Sequence, residues 1–286
     1  MMNILVTGAN GQLGSAIKAI AKNEAHLNFT FCTSTQLNIT DKDSVEEVFR
    51  STTYDYCINC AAYTNVDEAE EEFALANAIN CLGVKNLVLA CKVSHTKFIQ
   101  ISTDFVFSGK QSIPYTEFDI PEPVSAYGLS KYRGELEISK NLTDYYIIRT
   151  SWLYSEFGHN FMKSMLKFGS ERKNLSVVFD QIGTPTYAGD LAKIILLVIQ
   201  KDLGVYGIYH YSNEGVASWY DFAKAIFEEA NINIELKPIR TAEYPLPAKR
   251  PSYSIMDKTK VKTNFNIQIP HWRDSLKLAL HNNSLQ

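Results

Sequence analysis

Apolar and polar positions are arranged in alternating blocks through the first half of the chain. Runs dense in β-branched and aromatic residues, Asn3 to Thr7, Asn28 to Thr33, Asp55 to Cys60, Lys97 to Ser102 and Tyr145 to Arg149, predict buried strands. Between them the apolar spacing turns helical, from about Gln12, from about Asp41, over a long amphipathic stretch from about Val66 to Val93, and near Ala126 to Lys140. Strand–helix alternation of this kind predicts a parallel sheet with helices on both faces. The Thr40–Asp43 and Asp67–Glu70 groups place side-chain oxygens and acids at helix starts, which reads as capping.

After about Ser151 the texture changes. Prolines at 185, 238, 245, 247, 251 and 270 break up helical patterns near Asn160 to Phe168, Ala188 to Gln200, Ser218 to Ala230 and Trp272 to His281. The division this suggests is a nucleotide-binding domain over 1–151 and a smaller α+β domain over 152–286. No linker or repeat separates them, so segments of the second half are expected to return to the first.

Composition narrows the partners. With 286 residues, 45% hydrophobic, and a net charge of -3, the chain has a large core and no basic stripe, which argues against nucleic acid and for a small-molecule partner. Five cysteines without framework spacing, no basic-then-apolar leader and no apolar run read as long enough to span a bilayer point to a reducing compartment, the cytoplasm, and no membrane partner. Cys57 and Cys60 form a C-x-x-C, but within a strand and without a second pair they read as core residues. The six histidines form no i, i+4 pair, so no metal ligand set is expected.

Three places carry candidate chemistry, all where a strand ends, and ligands of an open parallel sheet bind beyond the carboxyl ends of its strands. The first is Gly8-Ala-Asn-Gly11-Gln-Leu-Gly14, a glycine turn re-entering a helix, which presents backbone amides to a phosphate. The second is Ser102-Thr-Asp-Phe-Val-Phe-Ser-Gly109. The third is Tyr127-Gly-Leu-Ser-Lys131, whose i, i+4 spacing puts a phenol and an ammonium on one helix face, where the cation would lower the phenol pKa. Tyr220 and Lys224 repeat the spacing, but beside Trp219 and Phe222 they read as packing.

Together the glycine turn, Thr103, Tyr127 and Lys131 resemble the extended short-chain dehydrogenases/reductases, with a Rossmann-type doubly wound sheet and a smaller C-terminal α+β substrate domain. Within that family the likeness is to reductases of 4-keto-6-deoxysugars carried on dTDP. It runs through Asn59–Glu70, Ser102–Phe107, Arg149–Tyr154, Asp180–Thr186, Ser218–Phe222 and Pro247–Pro251, of which the last three are the more specific. The resemblance implies hydride transfer from NADP(H), with NAD(H) also open, to a sugar C4 ketone. Tyr127 would give the proton, Lys131 would lower its pKa and hold the nicotinamide ribose, and Thr103 would bind the C4 oxygen. Gly8, Asn10, Gly11, Gln12 and Leu13 would meet the pyrophosphate, Asn38 and Ile39 the adenosine side, and Ala61, Ala62, Tyr63 and Thr64 the ribose-phosphate. Val66, Asp104, Trp152, Asn160 and Arg250 would lie against the dTDP-sugar.

Bland readings stand beside several of these. Trp152 suits interdomain packing, Arg250 a solvated loop, and Asp104 a loop brace. Phe105 stands where the family carries Tyr, and Ser15 where some relatives place an acid linked to a metal. The strand end Phe31-Cys-Thr-Ser34 lacks the acid that would repel a 2′-phosphate. Another sugar-nucleotide reductase or epimerase, a dehydratase, or a silent NADP-binding regulatory subunit are the alternatives, and the oligomeric state is monomer or homodimer.

Overall fold

The structure, a computed structural model, describes residues 1–285. The first half runs β1 (Met2–Thr7), α1 (Gln12–Ala21), β2 (Leu27–Cys32), α2 (Lys42–Ser51) and β3 (Tyr56–Asn59). A helical stretch follows through α3 (Glu68–Glu71), α4 (Phe73–Asn77), a π-helical turn (Ala78–Gly83) and α5 (Val84–Ser94), then β4 (Lys97–Thr103), α6 (Ala126–Asn141) and β5 (Tyr145–Thr150). The second half has β6 (Leu153–Tyr154), α7 (Phe161–Glu171), β7 (Asn174–Val178), β8 (Ile182–Gly183), β9 (Thr186–Tyr187) and α8 (Ala188–Lys201). It ends with β10 (Gly207–His210), β11 (Ala217–Ser218), α9 (Trp219–Glu229), β12 (Glu235–Ile239), α10 (Thr259–Phe265) and α11 (Trp272–Ser284).

Six parallel strands form the main sheet in the order β2-β1-β3-β4-β5-β10. Consecutive residues of β1 show why its sequence is apolar throughout. Ile4 and Val6 pack with α1 and α8, while Leu5 faces the opposite layer with Leu87 and Val88 of α5 and Ile138 of α6. Strand order reverses about β1, with β2 on one side and β3 on the other, which opens a crevice at their carboxyl ends. The last strand comes from the second half: β10 pairs with β5, and α8 lies against α1.

A separate core, with Tyr154, Met162, Phe222, Trp272 and Leu276 at its centre, holds the rest of the second half together. Its strands form only short ladders, β6 with β9, β7 with β12 and β8 with β11.

Three sequence expectations need correction here. The stretch Phe73–Ser94 is, by length and composition, one apolar run that could cross a bilayer. Its helices instead pack against α6 and α2, and Asn80 within it is buried and hydrogen-bonded. Asp41 does cap α2, accepting from the Asp43 and Ser44 N–H groups, but Asp67 makes no cap; its carboxylate is engaged elsewhere. Cys57 is in the core, whereas Cys60 is only partly buried, because it lies where β3 gives way to the crevice.

Candidate active site

The glycine turn follows β1 directly. Gly8 has a left-handed φ of +64°, and a Cβ there would stand 2.6 Å from the Ala61 nitrogen. A Cβ on Gly14 would stand 2.5 Å from the Gly8 carbonyl oxygen. Both positions therefore need glycine, one for its conformation and both for close approach. Gly11 precedes α1 and no side chain caps that helix, so its first-turn N–H groups stay open at the crevice. An uncapped, side-chain-free helix start at a strand-order reversal fits a dinucleotide pyrophosphate. Asn10 is exposed beside it, and Leu13 is buried, so only its backbone faces the crevice. Gln12 reaches the other way, donating to the Leu153 carbonyl at 3.4 Å and accepting from Ser155 at 3.0 Å.

Behind this turn a polar chain crosses three strand ends. Thr7 Oγ1 donates to Asn59 Oδ1 at 2.6 Å, Asn59 Nδ2 donates to Gln100 Oε1 at 2.8 Å, and the Ala61 N–H donates to Asn59 Oδ1 at 3.2 Å. The loop of Ala61, Ala62, Tyr63 and Thr64 is thereby fixed from below. Asn80 fixes it from the side, accepting from the Tyr63 N–H and donating to the Tyr63 carbonyl, both at 3.0 Å. The same Asn80 amide donates to Ser130 Oγ, which donates to the Tyr127 carbonyl at 2.7 Å. The π-helical turn places Asn80 there, and a Cβ on Gly134 would come within 2.2 Å of the Asn80 carbonyl oxygen, so α6 sits tightly on it.

Asn38 is exposed and turns back on itself, accepting from the Thr40 N–H at 3.1 Å. Ile39 buries its side chain, and its carbonyl accepts from Asn86 Nδ2 at 3.0 Å. Near them β2 ends without an acidic residue.

Thr103, Tyr127 and Lys131 meet where β4 ends and α6 begins. Ser125 caps α6, accepting from the Gly128 N–H at 3.2 Å, and a Cβ on Gly128 would stand 2.2 Å from the Phe105 carbonyl oxygen. That contact presses Tyr127 against the Thr103 turn, with the Phe105 ring edge-on to it at 5.5 Å. Thr103 Oγ1 donates to Asp104 Oδ1 at 3.1 Å and accepts from the Phe105 N–H.

The expected lowering of the Tyr127 pKa by Lys131 is not what this arrangement gives. Burial pushes the phenol up to about 12, against the opposing pull of the Thr103 hydroxyl. Lys131 Nζ donates to the Ile101 carbonyl at 2.7 Å, and burial pushes its ammonium down to about 8. A phenol that holds its proton is suited to giving it to a developing alkoxide. Asp104 braces the turn: it is buried, burial raises its carboxyl to about 6, and Oδ2 has no hydrogen-bond partner among the described residues.

The second half holds a cleft of about 910 Å³. Phe161, Phe168 and Trp219 give it aromatic walls, and Arg172, Lys249 and Arg250 give it cations. The three specific segments noted in the sequence converge there, through Gln181, Trp219 and Pro247–Arg250. Of the residues expected against the sugar nucleotide, Arg250 alone lines the cleft, and its guanidinium is paired with Asp67 through Nη2 at 2.7 Å. Trp152, at φ +47°, stacks on Trp219 at 3.7 Å and so packs behind the cleft wall. Asn160 caps α7, accepting from the Lys163 N–H at 3.2 Å, while its amide nitrogen donates to the Ser155 and Phe157 carbonyls. Val66 is half-buried next to Asp67. Sequence reading missed Asn59, Asn80 and Gln100 altogether. It also missed Arg172 and Phe161, for which spacing gave no signal.

A doubly wound parallel sheet with an open glycine turn and a Thr-Tyr-Lys cluster at its carboxyl edge defines a Rossmann-type oxidoreductase. Comparison with known proteins places it more narrowly. Residues 2–285 match the family model described as RmlD substrate binding domain. The chain is 40% identical over 287 residues to dTDP-4-dehydrorhamnose reductase of Aggregatibacter actinomycetemcomitans, covering 97% of this chain and 98% of the relative. It is 39% identical to spore coat polysaccharide biosynthesis protein SpsK of Bacillus subtilis, covering 99% of each. The crystal structure of dTDP-4-dehydrorhamnose reductase from Bacillus anthracis in complex with NADP is similar at a TM-score of 0.95 and 40% identity, covering 99% of this chain and 100% of that one. The chain belongs to the dTDP-4-dehydrorhamnose reductase family.

Proposed function

We propose that this protein reduces the C4 ketone of dTDP-6-deoxy-L-lyxo-4-hexulose, which is dTDP-4-dehydrorhamnose, to give dTDP-L-rhamnose with NADPH as reductant. The observation that carries this reading is the Thr103-Tyr127-Lys131 cluster at the carboxyl edge of a sheet that also carries an open pyrophosphate cradle, in a chain whose second half holds an aromatic, cationic cleft. Bound dihydronicotinamide supplies the hydride that adds to C4. Tyr127, kept protonated by its burial, gives the proton to the C4 oxygen as charge develops there, and the Thr103 hydroxyl orients that oxygen. Lys131 holds the ribose side of the site and supports the phenolate left behind. The N–H groups at Gln12 and Leu13 hold the pyrophosphate beside Gly11, whose own N–H donates to the Gly8 carbonyl, and the absence of an acid at the end of β2 leaves room for a 2′-phosphate. Phe161 and Trp219 stack the thymine, and Arg172 and Lys249 face the diphosphate.

The similarity to a spore coat polysaccharide protein is consistent with a product destined for a surface polysaccharide. Five free cysteines support a reducing compartment, the cytoplasm, as the site of the reaction. The test is oxidation of NADPH and of NADH by the purified protein with the 4-keto sugar nucleotide, with the sugar product identified. Formation of dTDP-L-rhamnose supports the reading. Protein that binds NADPH but turns over nothing would instead support the regulatory-subunit alternative.

A further inference from the structure

One carboxylate of the cofactor half holds a wall of the cleft. Asp67 sits after the loop of Ala61 to Thr64, at the start of α3, yet it caps nothing. It accepts from Arg250 Nη1 at 3.0 Å, from Arg250 Nη2 at 2.7 Å and from the Ala248 N–H at 3.2 Å. Arg250 Nη1 also donates to the Ala248 carbonyl at 3.1 Å, which makes residues 248–250 a closed turn around the carboxylate.

These residues belong to a strap over 241–250 whose later part, Pro245–Arg250, lines the cleft. At its far end Thr241 is tied to Asp180, which accepts from the Thr241 N–H at 2.8 Å and from Oγ1 at 2.7 Å. Between the two ties Tyr244 and Leu246 are exposed. Beyond Arg250 the chain is seated on the first half again, since Ser252 Oγ donates to the Gly109 carbonyl at 3.0 Å. The Asp67–Arg250 pair is itself partly open to solvent, and such pairs contribute little to fold stability. Its geometry is nonetheless that of a fork on a carboxylate, which fixes orientation as well as distance.

We propose that Asp67 is a positioning residue for the sugar nucleotide, acting through Arg250 and the Ala248 backbone to hold the strap as the wall against which the diphosphate binds. The proposal rests on the function proposed above. It makes the cofactor half responsible for part of the affinity of the cleft, although Asp67 itself touches no substrate.

The test is calorimetric titration of dTDP and, separately, NADP+ into wild type, Asp67→Asn, Asp67→Glu, Arg250→Gln and the Asp67→Asn/Arg250→Gln double variant. Asp67→Asn should weaken dTDP binding about tenfold, the loss of one charged hydrogen-bonding partner. NADP+ affinity should stay within about twofold, and Asp67→Glu should recover most of the dTDP affinity. The double variant should lose less dTDP affinity than the two single losses multiplied together, because Asp67 acts in part through Arg250. In turnover, KM for the sugar nucleotide should rise while kcat holds. Unchanged dTDP binding in Asp67→Asn, an equal loss of NADP+ binding, or losses that multiply in the double variant would each overturn the proposal. Wild type that binds NADP+ but not dTDP would overturn the function reading and this proposal with it.

Discussion

The cofactor side of the site and the sugar-nucleotide side are built in opposite ways. The proposed cofactor side uses residues at the ends of neighbouring strands and offers largely backbone: Gly8 and Gly14 matter for the side chains they lack. The cleft gathers side chains from α7, β7, α9, β12 and the 241–250 strap, with no ladder longer than β7–β12 to set them in register. The first is rigid because the sheet that carries it is continuous. The second depends on tethers such as Asp180–Thr241 and Asp67–Arg250. A backbone site tolerates no added atom, whereas a side-chain site loses affinity one contact at a time.

The largest expected effect falls where the two sides meet. Tyr127→Phe should lower kcat by about two to four orders of magnitude, with NADPH and dTDP binding nearly intact. Stopped-flow hydride transfer beside equilibrium titration would check this, and normal turnover would remove Tyr127 from the chemistry. Gly8→Ala strikes the cofactor side alone. With φ at +64° and backbone 2.6 Å from the new Cβ, NADP+ affinity should fall by about one to two orders of magnitude while dTDP binding stays within about threefold. Equal losses of both ligands would mean that the two sides are not separable.

Arg172→Ala does the converse on a smaller scale. Its guanidinium lies over the Phe168 ring at 4.2 Å, and its removal should cost about 1 kcal/mol of dTDP binding and none of NADP+ binding. A separate effect concerns stability and leaves ligand affinity aside. Lys131 is held at about 8 by burial, while the unfolded chain keeps that proton up to about 10.5. Between those values the unfolded state binds more protons, so the Lys131 contribution is fully present above about pH 10.5 and is lost as pH falls towards 8. Lys131→Met should therefore be the more stable protein near neutrality, with melting curves that converge as pH rises through that window. Parallel curves would show that Lys131 is not desolvated.

The same contrast decides what could be read from the sequence. The strands of the first half, the glycine turn and the Tyr127–Lys131 spacing were legible, because each is a local pattern with a local physical cause. Asn59, Gln100 and Asn80 were not, because a buried amide has meaning only through a partner 17 to 52 residues away. Asp67 looked like a cap for the same reason: the sequence shows its helix, and Arg250 lies 183 residues on. The lowering of the Tyr127 pKa failed as an expectation because spacing says which groups share a helix face and nothing about how far burial outweighs them. The capping role of Asn160 was likewise not legible, because nothing in its sequence context fixed where α7 begins.

The placement of β10 also bears on how the chain acquires its fold during synthesis. Until residues 207–210 have left the ribosome, β5 is an open strand edge, and until α8 arrives the part of the apolar face of α1 that does not lie on the sheet is uncovered. An emerging first half is therefore a sticky intermediate that waits for sequence well beyond its own last strand. Nascent chains stalled before about residue 200 should be handed to chaperones, and those stalled after α10 should resist protease.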